Sequence, residues 1–217
     1  MARPRVLLTG FGPFPGVADN PSGWLAETLA SLTRGQDWDV QSTVLPTEWQ
    51  AVTALAPRLH ADLQPVVMIH FGVSARSKGL QIERWAHNRA EARADASGAK
   101  PASPLITNDG AARLETRLPV SALAAHLRAQ GHAARASHSC GRYLCNYLYY
   151  RSLDWTRRQG GDALFVHVPL TRAQGGDLHQ DALLHAAEAA LRFVLDVART
   201  AQADAGLRAS PVAEAQA

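Results

Sequence analysis

Only two cysteines occur in the 217 residues, Cys140 and Cys145. A close pair of thiols is not the disulfide framework of a small secreted domain, so a cytoplasmic chain is expected. No apolar run approaches the roughly 18 residues that a membrane-spanning helix needs. The opening MARPRVLLTGFGPF meets Gly and Pro too early for a signal peptide and has no small-residue cleavage site. Charge of one sign is never concentrated. The net charge is only +3, and arginines are scattered from Arg3 to Arg208, which excludes a basic nucleic-acid-binding tract. HExxH and CxxC are both missing, and His138-Ser139-Cys140 and His185 with Glu188 are isolated pairs, so no metal site is expected. The glycine loop at 10–16, GFGPFPG, lacks both GxGxxG and a Gly-Lys-Ser/Thr ending, which argues against a nucleotide cofactor. Internal repeats and a linker are also lacking.

What is present is a chain with 47% hydrophobic and 19% charged residues, enough for one sizeable core. Short apolar runs at 6–9 (VLLT), 65–72 (PVVMIHFG) and 165–168 (FVHV) read as buried strands. Further strands are expected at 39–46, 80–88 and 132–138. Helices are expected at 20–32, with Asn20 as N-cap and Pro21 in the first turn, and from 49 towards His60, where Thr47 to Gln50 has capping-box spacing. Others fall at 119–130, 141–157 and 178–200. The Pro-, Gly-, Asn- and Asp-rich stretch 95–117 reads as a long surface loop and a candidate lid. Alternating strands and helices predict a single α/β domain over residues 1–200, an α/β/α sandwich on a twisted, mostly parallel (mixed) sheet. The remainder, 201–217, is expected to fray.

Ligands of such sheets bind beyond the carboxyl ends of the strands. Those ends gather Thr9-Gly10-Phe11, His70-Phe71-Gly72 and His167-Val168-Pro169. Cys145 follows a strand and a Gly141 break at the start of a helix, where the dipole favours a thiolate. Read alone, such a cysteine is more commonly a buried structural thiol, and Cys140 competes for the nucleophile's role from the turn. His167 lies within an apolar strand, placed as a general base for Cys145 or as a hydrogen-bonded core histidine. Glu83 suits the third member of a triad, or an ion pair with Arg84 or Arg93. Phe11 and Phe14, stiffened by Pro13 and Pro15, form a wall for a small flat ring or are simply core.

Four blocks in order carry a resemblance: LLTGFGPFPGVADNPS, IERWAHN, GRYLCN and FVHVPL. Together they resemble the pyroglutamyl-peptidase I family of cysteine peptidases, whose corresponding motifs are TGF-x-PFGG…NPS, ERxAxN, G-x-Y-x-CN and F-I-H-V-P. The blocks span residues 5–170. The resemblance implies an α/β/α fold, a Cys145–His167–Glu83 triad, Phe11 and Phe14 against a pyrrolidone ring, Asn20 steadying the loop, and Arg93 helping to polarise the scissile carbonyl. It further implies peptides with N-terminal pyroglutamate as substrates, no metal or organic cofactor, and a homo-oligomer, dimer or tetramer. Departures fall at 13–16, where GPFPG replaces PFGG, at 70–80, and at 91–98, where DARxPDN is lost around Arg93. His138 and Cys140 stand where the family commonly has Asn and Ala. A thiol amidase of altered acyl specificity and a non-catalytic binding protein on the same scaffold are the alternatives.

Overall fold

The computed structural model describes residues 3–33 and 37–209. A six-stranded sheet is built from β1 (Arg5–Phe11), β2 (Asp39–Leu45), β3 (Val67–Val73), β4 (Leu80–Glu83), β7 (Ala134–Ser137) and β8 (Asp162–Val168), in the order β2-β1-β3-β8-β4-β7. Its pairings are parallel except for β4 against β8. The sheet is thus mixed and mostly parallel, as expected. Among the described residues five α-helices cover it: α1 (Pro21–Leu32), α2 (Trp49–Leu63), α3 (Val120–Ala129), α4 (Leu144–Gln159) and α5 (Gln180–Ala209).

The apolar runs of the central strands follow from burial on both faces. Val6 and Leu8, Val67, Ile69 and Phe71, and Leu164, Val166 and Val168 pack towards α1, α3 and α5. The intervening Leu7, Met68, Ala163 and Phe165 pack towards α2 and α4. Side chains alternate along each strand, so a continuous apolar run fills two cores at once.

Four elements differ from the sequence expectation. The segment 80–88 is not one strand. β4 ends at Glu83, and β5 (Trp85–His87) leaves the sheet to pair with β6 (Arg113–Glu115) in a separate ribbon. The capping box at Thr47 does not form: Thr47 donates to the Gly12 carbonyl, and the first helical N–H of α2, that of Trp49, is taken by Asp95 at 2.7 Å. A buried tertiary acceptor has displaced the local one. The stretch 95–117 contains β6 and is tied down. Asn88, buried beneath it, accepts from the N–H groups of Ile106 and Thr107 and donates to the carbonyls of Thr107 and Gly110. Finally, α5 runs on to Ala209, nine residues past the expected end, while 210–217 lie outside the described residues. No helix among the described residues is long and apolar enough to cross a membrane.

Candidate active site

Cys145 is the second residue of α4, whose first turn has no side-chain cap. Its backbone N–H groups therefore present the positive end of the helix without a competing acceptor from a cap. Gly72 and His167 are register partners on β3 and β8, and Gln81 of β4 is the partner of His167 on the other side. Glu83 lies diagonally across that antiparallel pair, and its Oε1 meets His167 Nδ1 at 2.8 Å. The diagonal is reachable because Glu83 lies two residues from Gln81, the register partner of His167, so both side chains share the face that α4 covers. Arg84, one of the two arginines offered as an alternative ion-pair partner for Glu83, binds Glu115 instead.

Glu83 is 1% exposed, and its Oε2 has no partner among the described residues. Its charge is therefore answered by the imidazole. Burial alone would lower the pKa of His167, but the Cys145 thiol and the Glu83 carboxylate outweigh it and raise the value to about 9. The ring is a cation at neutral pH. Cys140, by contrast, is buried, and burial together with the negative charges of Cys145 and Glu83 pushes its thiol well up. Cys140 stays protonated, which counts against the competitor that the sequence left open.

All seven residues singled out in the sequence line one cleft of about 620 Å³: Cys145, His167, Glu83, Phe11, Phe14, Asn20 and Arg93. Phe14 is held by a tight turn in which Val17 N–H donates to the Phe14 carbonyl at 2.8 Å, with Pro15 second and Gly16 third at φ +88°. That is the type II turn chemistry of Pro followed by Gly, and it gives the unusual GPFPG a defined shape. Asn20 caps α1 through Ser22 and donates to the Gly12 carbonyl at 2.9 Å, where Thr47 also donates. The glycine loop is pinned from two sides. The Arg93 guanidinium lies 4.8 Å from the Tyr143 ring centroid at the edge of the cleft. No residue of 95–117, the candidate lid, lines this cleft. Among the described residues no group of three or more His, Cys, Asp or Glu is assembled as a ligand set for a metal.

Three positioning residues had no role in the sequence reading. Asn146, fully buried beside Cys145, accepts from His87 N–H and donates to the carbonyls of His87 and Arg89, locking the start of α4 to the end of β5. Its place in the GRYLCN block was the only signal. Gly72 faces Cys145 so closely that a Cβ there would lie 2.9 Å from the sulfur. Ser152 lies two turns after Cys145, on the same face of α4, and bridges His60 of α2 at 3.0 Å and His70 of β3 at 2.8 Å. His70 continues the chain to Thr9 of β1 at 2.8 Å.

That buried chain has one hydroxyl proton between two rings. Ser152 can donate to one ring nitrogen and accept from the other, and burial rather than the hydrogen-bond count keeps both rings neutral. Burial lowers His60 to about 4, aided by Arg151, and burial with the neighbouring His60 lowers His70 to about 3. Folded values below the unfolded one mean that the unfolded chain binds protons first. The contribution is complete above about pH 6.5 and is lost as pH falls towards 4 and 3, at about 1.4 kcal/mol per pH unit for each ring. Urea midpoints are therefore expected to drop steeply between pH 6.5 and 4.5. A His60→Gln, His70→Gln variant should show a shallower drop, and equal slopes for the two proteins would remove the histidines as its cause.

Comparison with known proteins gives a consistent result. The family model described as pyroglutamyl peptidase matches residues 4–199. Pyroglutamyl-peptidase 1 of Rattus norvegicus is 31% identical over 208 residues, covering 94% of this chain and 97% of the rat protein. The crystal structure of Bacillus amyloliquefaciens pyroglutamyl peptidase I superposes with a TM-score of 0.80 at 28% identity, over 88% of this chain and 97% of that one. The pyrrolidone carboxyl peptidase of Thermococcus litoralis superposes at 0.82 with 30% identity, over 91% and 96% of the two chains.

Proposed function

The chain belongs to the pyroglutamyl peptidase family, and from that premise we propose that it removes N-terminal pyroglutamyl residues from peptides through a thioacyl-enzyme on Cys145. The observation that carries this reading is the buried Glu83–His167 hydrogen bond at 2.8 Å on the wall of the cleft that Cys145 enters.

A pyroglutamyl residue has no free amine, so its pocket needs no carboxylate to receive one. The Phe11 and Phe14 wall supplies apolar surface for the lactam ring. The His167 cation gives the Cys145 thiolate a counter-charge, and the thiolate attacks the pyroglutamyl carbonyl. The uncapped N–H groups at the start of α4 are oriented to stabilise the resulting oxyanion, with Arg93 as an auxiliary cation at the rim. His167 then gives its proton to the leaving amine, and Glu83 holds the ring in place and balances its charge. Water, deprotonated by His167, hydrolyses the thioester and frees pyroglutamate. The peptidase domain on this reading spans residues 1–200 and works in the reducing cytoplasm, which suits its two free thiols. It assembles as a homo-oligomer, a dimer or tetramer.

The test is the pH profile of kcat/KM on a pyroglutamyl anilide. A general acid with a pKa of about 9 is present through neutrality and lost as pH rises past that value, so activity should fall on the alkaline side near pH 9. Glu83→Gln removes one of the influences that raise the ring and should move that limb to lower pH. Absence of aniline release from the pyroglutamyl substrate, with release from an acetyl anilide, would instead favour a thiol amidase of altered acyl specificity. No release from either, with an inert Cys145, would favour a binding protein.

A further inference from the structure

The cleft does not end at His167. Gln81, the cross-strand partner of His167, lines the cleft and also a second hollow of about 380 Å³, and Arg76 is shared by both. The wall of the second hollow carries Arg76, Lys78 and Arg135 and includes no carboxylate. Among the described residues none of these three cations makes an ion pair. Arg135 instead donates to Gln81 Oε1 at 2.7 Å, and Gln81 Nε2 donates to Ser74 Oγ at 3.4 Å. Gln81 is only 9% exposed. A buried amide therefore joins the cationic hollow to the cleft beside the imidazole.

The chemistry of the preceding subsection, on which this inference rests, sets a direction. His167 protonates the leaving nitrogen, so the first residue of the leaving peptide lies against His167, on the side away from the lactam ring. An extended chain advances about 3.3 Å per residue, and its next positions along β4 and β8 pass Gln81. Three unpaired cations at the end of that path, with no acid in the wall, form a field that attracts negative charge. We propose that the Arg76–Lys78–Arg135 hollow is a subsite for a carboxylate carried by the leaving peptide, either an acidic side chain or the C-terminus of a short peptide.

Three probes separate these sources: pyroglutamyl-Ala-Glu-amide, pyroglutamyl-Ala-Gln-amide and pyroglutamyl-Ala-Gln with a free C-terminus. At low ionic strength the carboxylate peptides should show kcat/KM about tenfold above the neutral one, and about 0.5 M salt should erase most of the difference. A gain only for the first assigns the subsite to a side chain, and a gain only for the third assigns it to the terminus. The double variant Lys78→Gln, Arg135→Gln should bring the ratio close to one. A folding defect would lower all three rates together and leave the ratio intact, and the salt dependence of the unaltered protein reads the subsite without any variant. Equal rates on the three peptides, or a ratio untouched by the double variant, would overturn the subsite while leaving the peptidase reading intact. Failure to cleave any of them would overturn both.

Discussion

Cys145→Ala is expected to lower kcat/KM on a pyroglutamyl anilide by roughly 10⁴-fold or more, whereas Cys140→Ala should stay within about tenfold of the unaltered protein. The two thiols are five residues apart and line the same cleft, so proximity does not distinguish them. Their surroundings do. Cys145 stands in the uncapped first turn of α4, beside an imidazole whose pKa is raised to about 9. Cys140 is 3% exposed, lies before the helix, and is held protonated by burial and by the charges of Cys145 and Glu83. A protonated, enclosed thiol is a poor nucleophile whatever its distance from a substrate. Truncating it to alanine removes one sulfur from a packed site, a modest packing loss. Removing Cys145 takes away the atom that forms the acyl bond in the proposed mechanism. Iodoacetamide should label Cys145 first and abolish activity in step with labelling. Comparable losses in the two variants, or a Cys145→Ala enzyme retaining more than about one per cent of its rate, would dismiss Cys145 as nucleophile.

The sheet was readable because its central strands are covered on both sides. VLLT, VVMIH and FVHV have no polar face to disguise them, and β1, β3 and β8 appear where those runs occur. Asn20 and Pro21 began α1 as expected because their partners are local. Readings failed where a distant group replaced a local one. Thr47 had the spacing to cap α2, but Asp95, 46 residues away, takes the Trp49 N–H. By spacing alone Glu83 looked like half of an ion pair with Arg84 or Arg93, because no spacing shows that β4 pairs with β8 and brings the carboxylate to a histidine 84 residues later. The loop 95–117 looked loose because its anchor, Asn88, lies outside it. The site residues were legible chiefly through the four ordered blocks. What the blocks could not show is which neighbouring residues set the position of the sulfur.

Gly72 is the sharpest such case, and Gly72→Ala is expected to lower kcat about 100-fold with KM changed by less than about threefold. The backbone of β3 at this position is ordinary extended strand, so alanine meets no torsional penalty. The obstacle is space. A Cβ would lie 2.7 Å from Phe165 Cζ and 2.9 Å from Cys145 Sγ, both inside van der Waals contact. Phe165 is completely buried and packs at a tilt against the Tyr149 and His167 rings, so its ring has little room to retreat. The start of α4 is clamped by Asn146 to His87 and Arg89, and its next two turns by Ser152 to His60 and His70. The helix therefore resists sliding, and the least costly response is rotation of the Cys145 side chain off its line to His167. Overpacking of this size costs about 1–3 kcal/mol of stability, which a domain of this size can lose and still fold. The three atoms nearest the new methyl group belong to Phe165 and Cys145 and not to Phe11 or Phe14, the proposed lactam wall, which is why binding should survive while acylation fails. Urea unfolding and steady-state kinetics on the same preparation distinguish the outcomes. A variant with unchanged kcat would show that the sulfur does not need its contact with β3, and a parallel rise in KM would place the damage in the ring pocket.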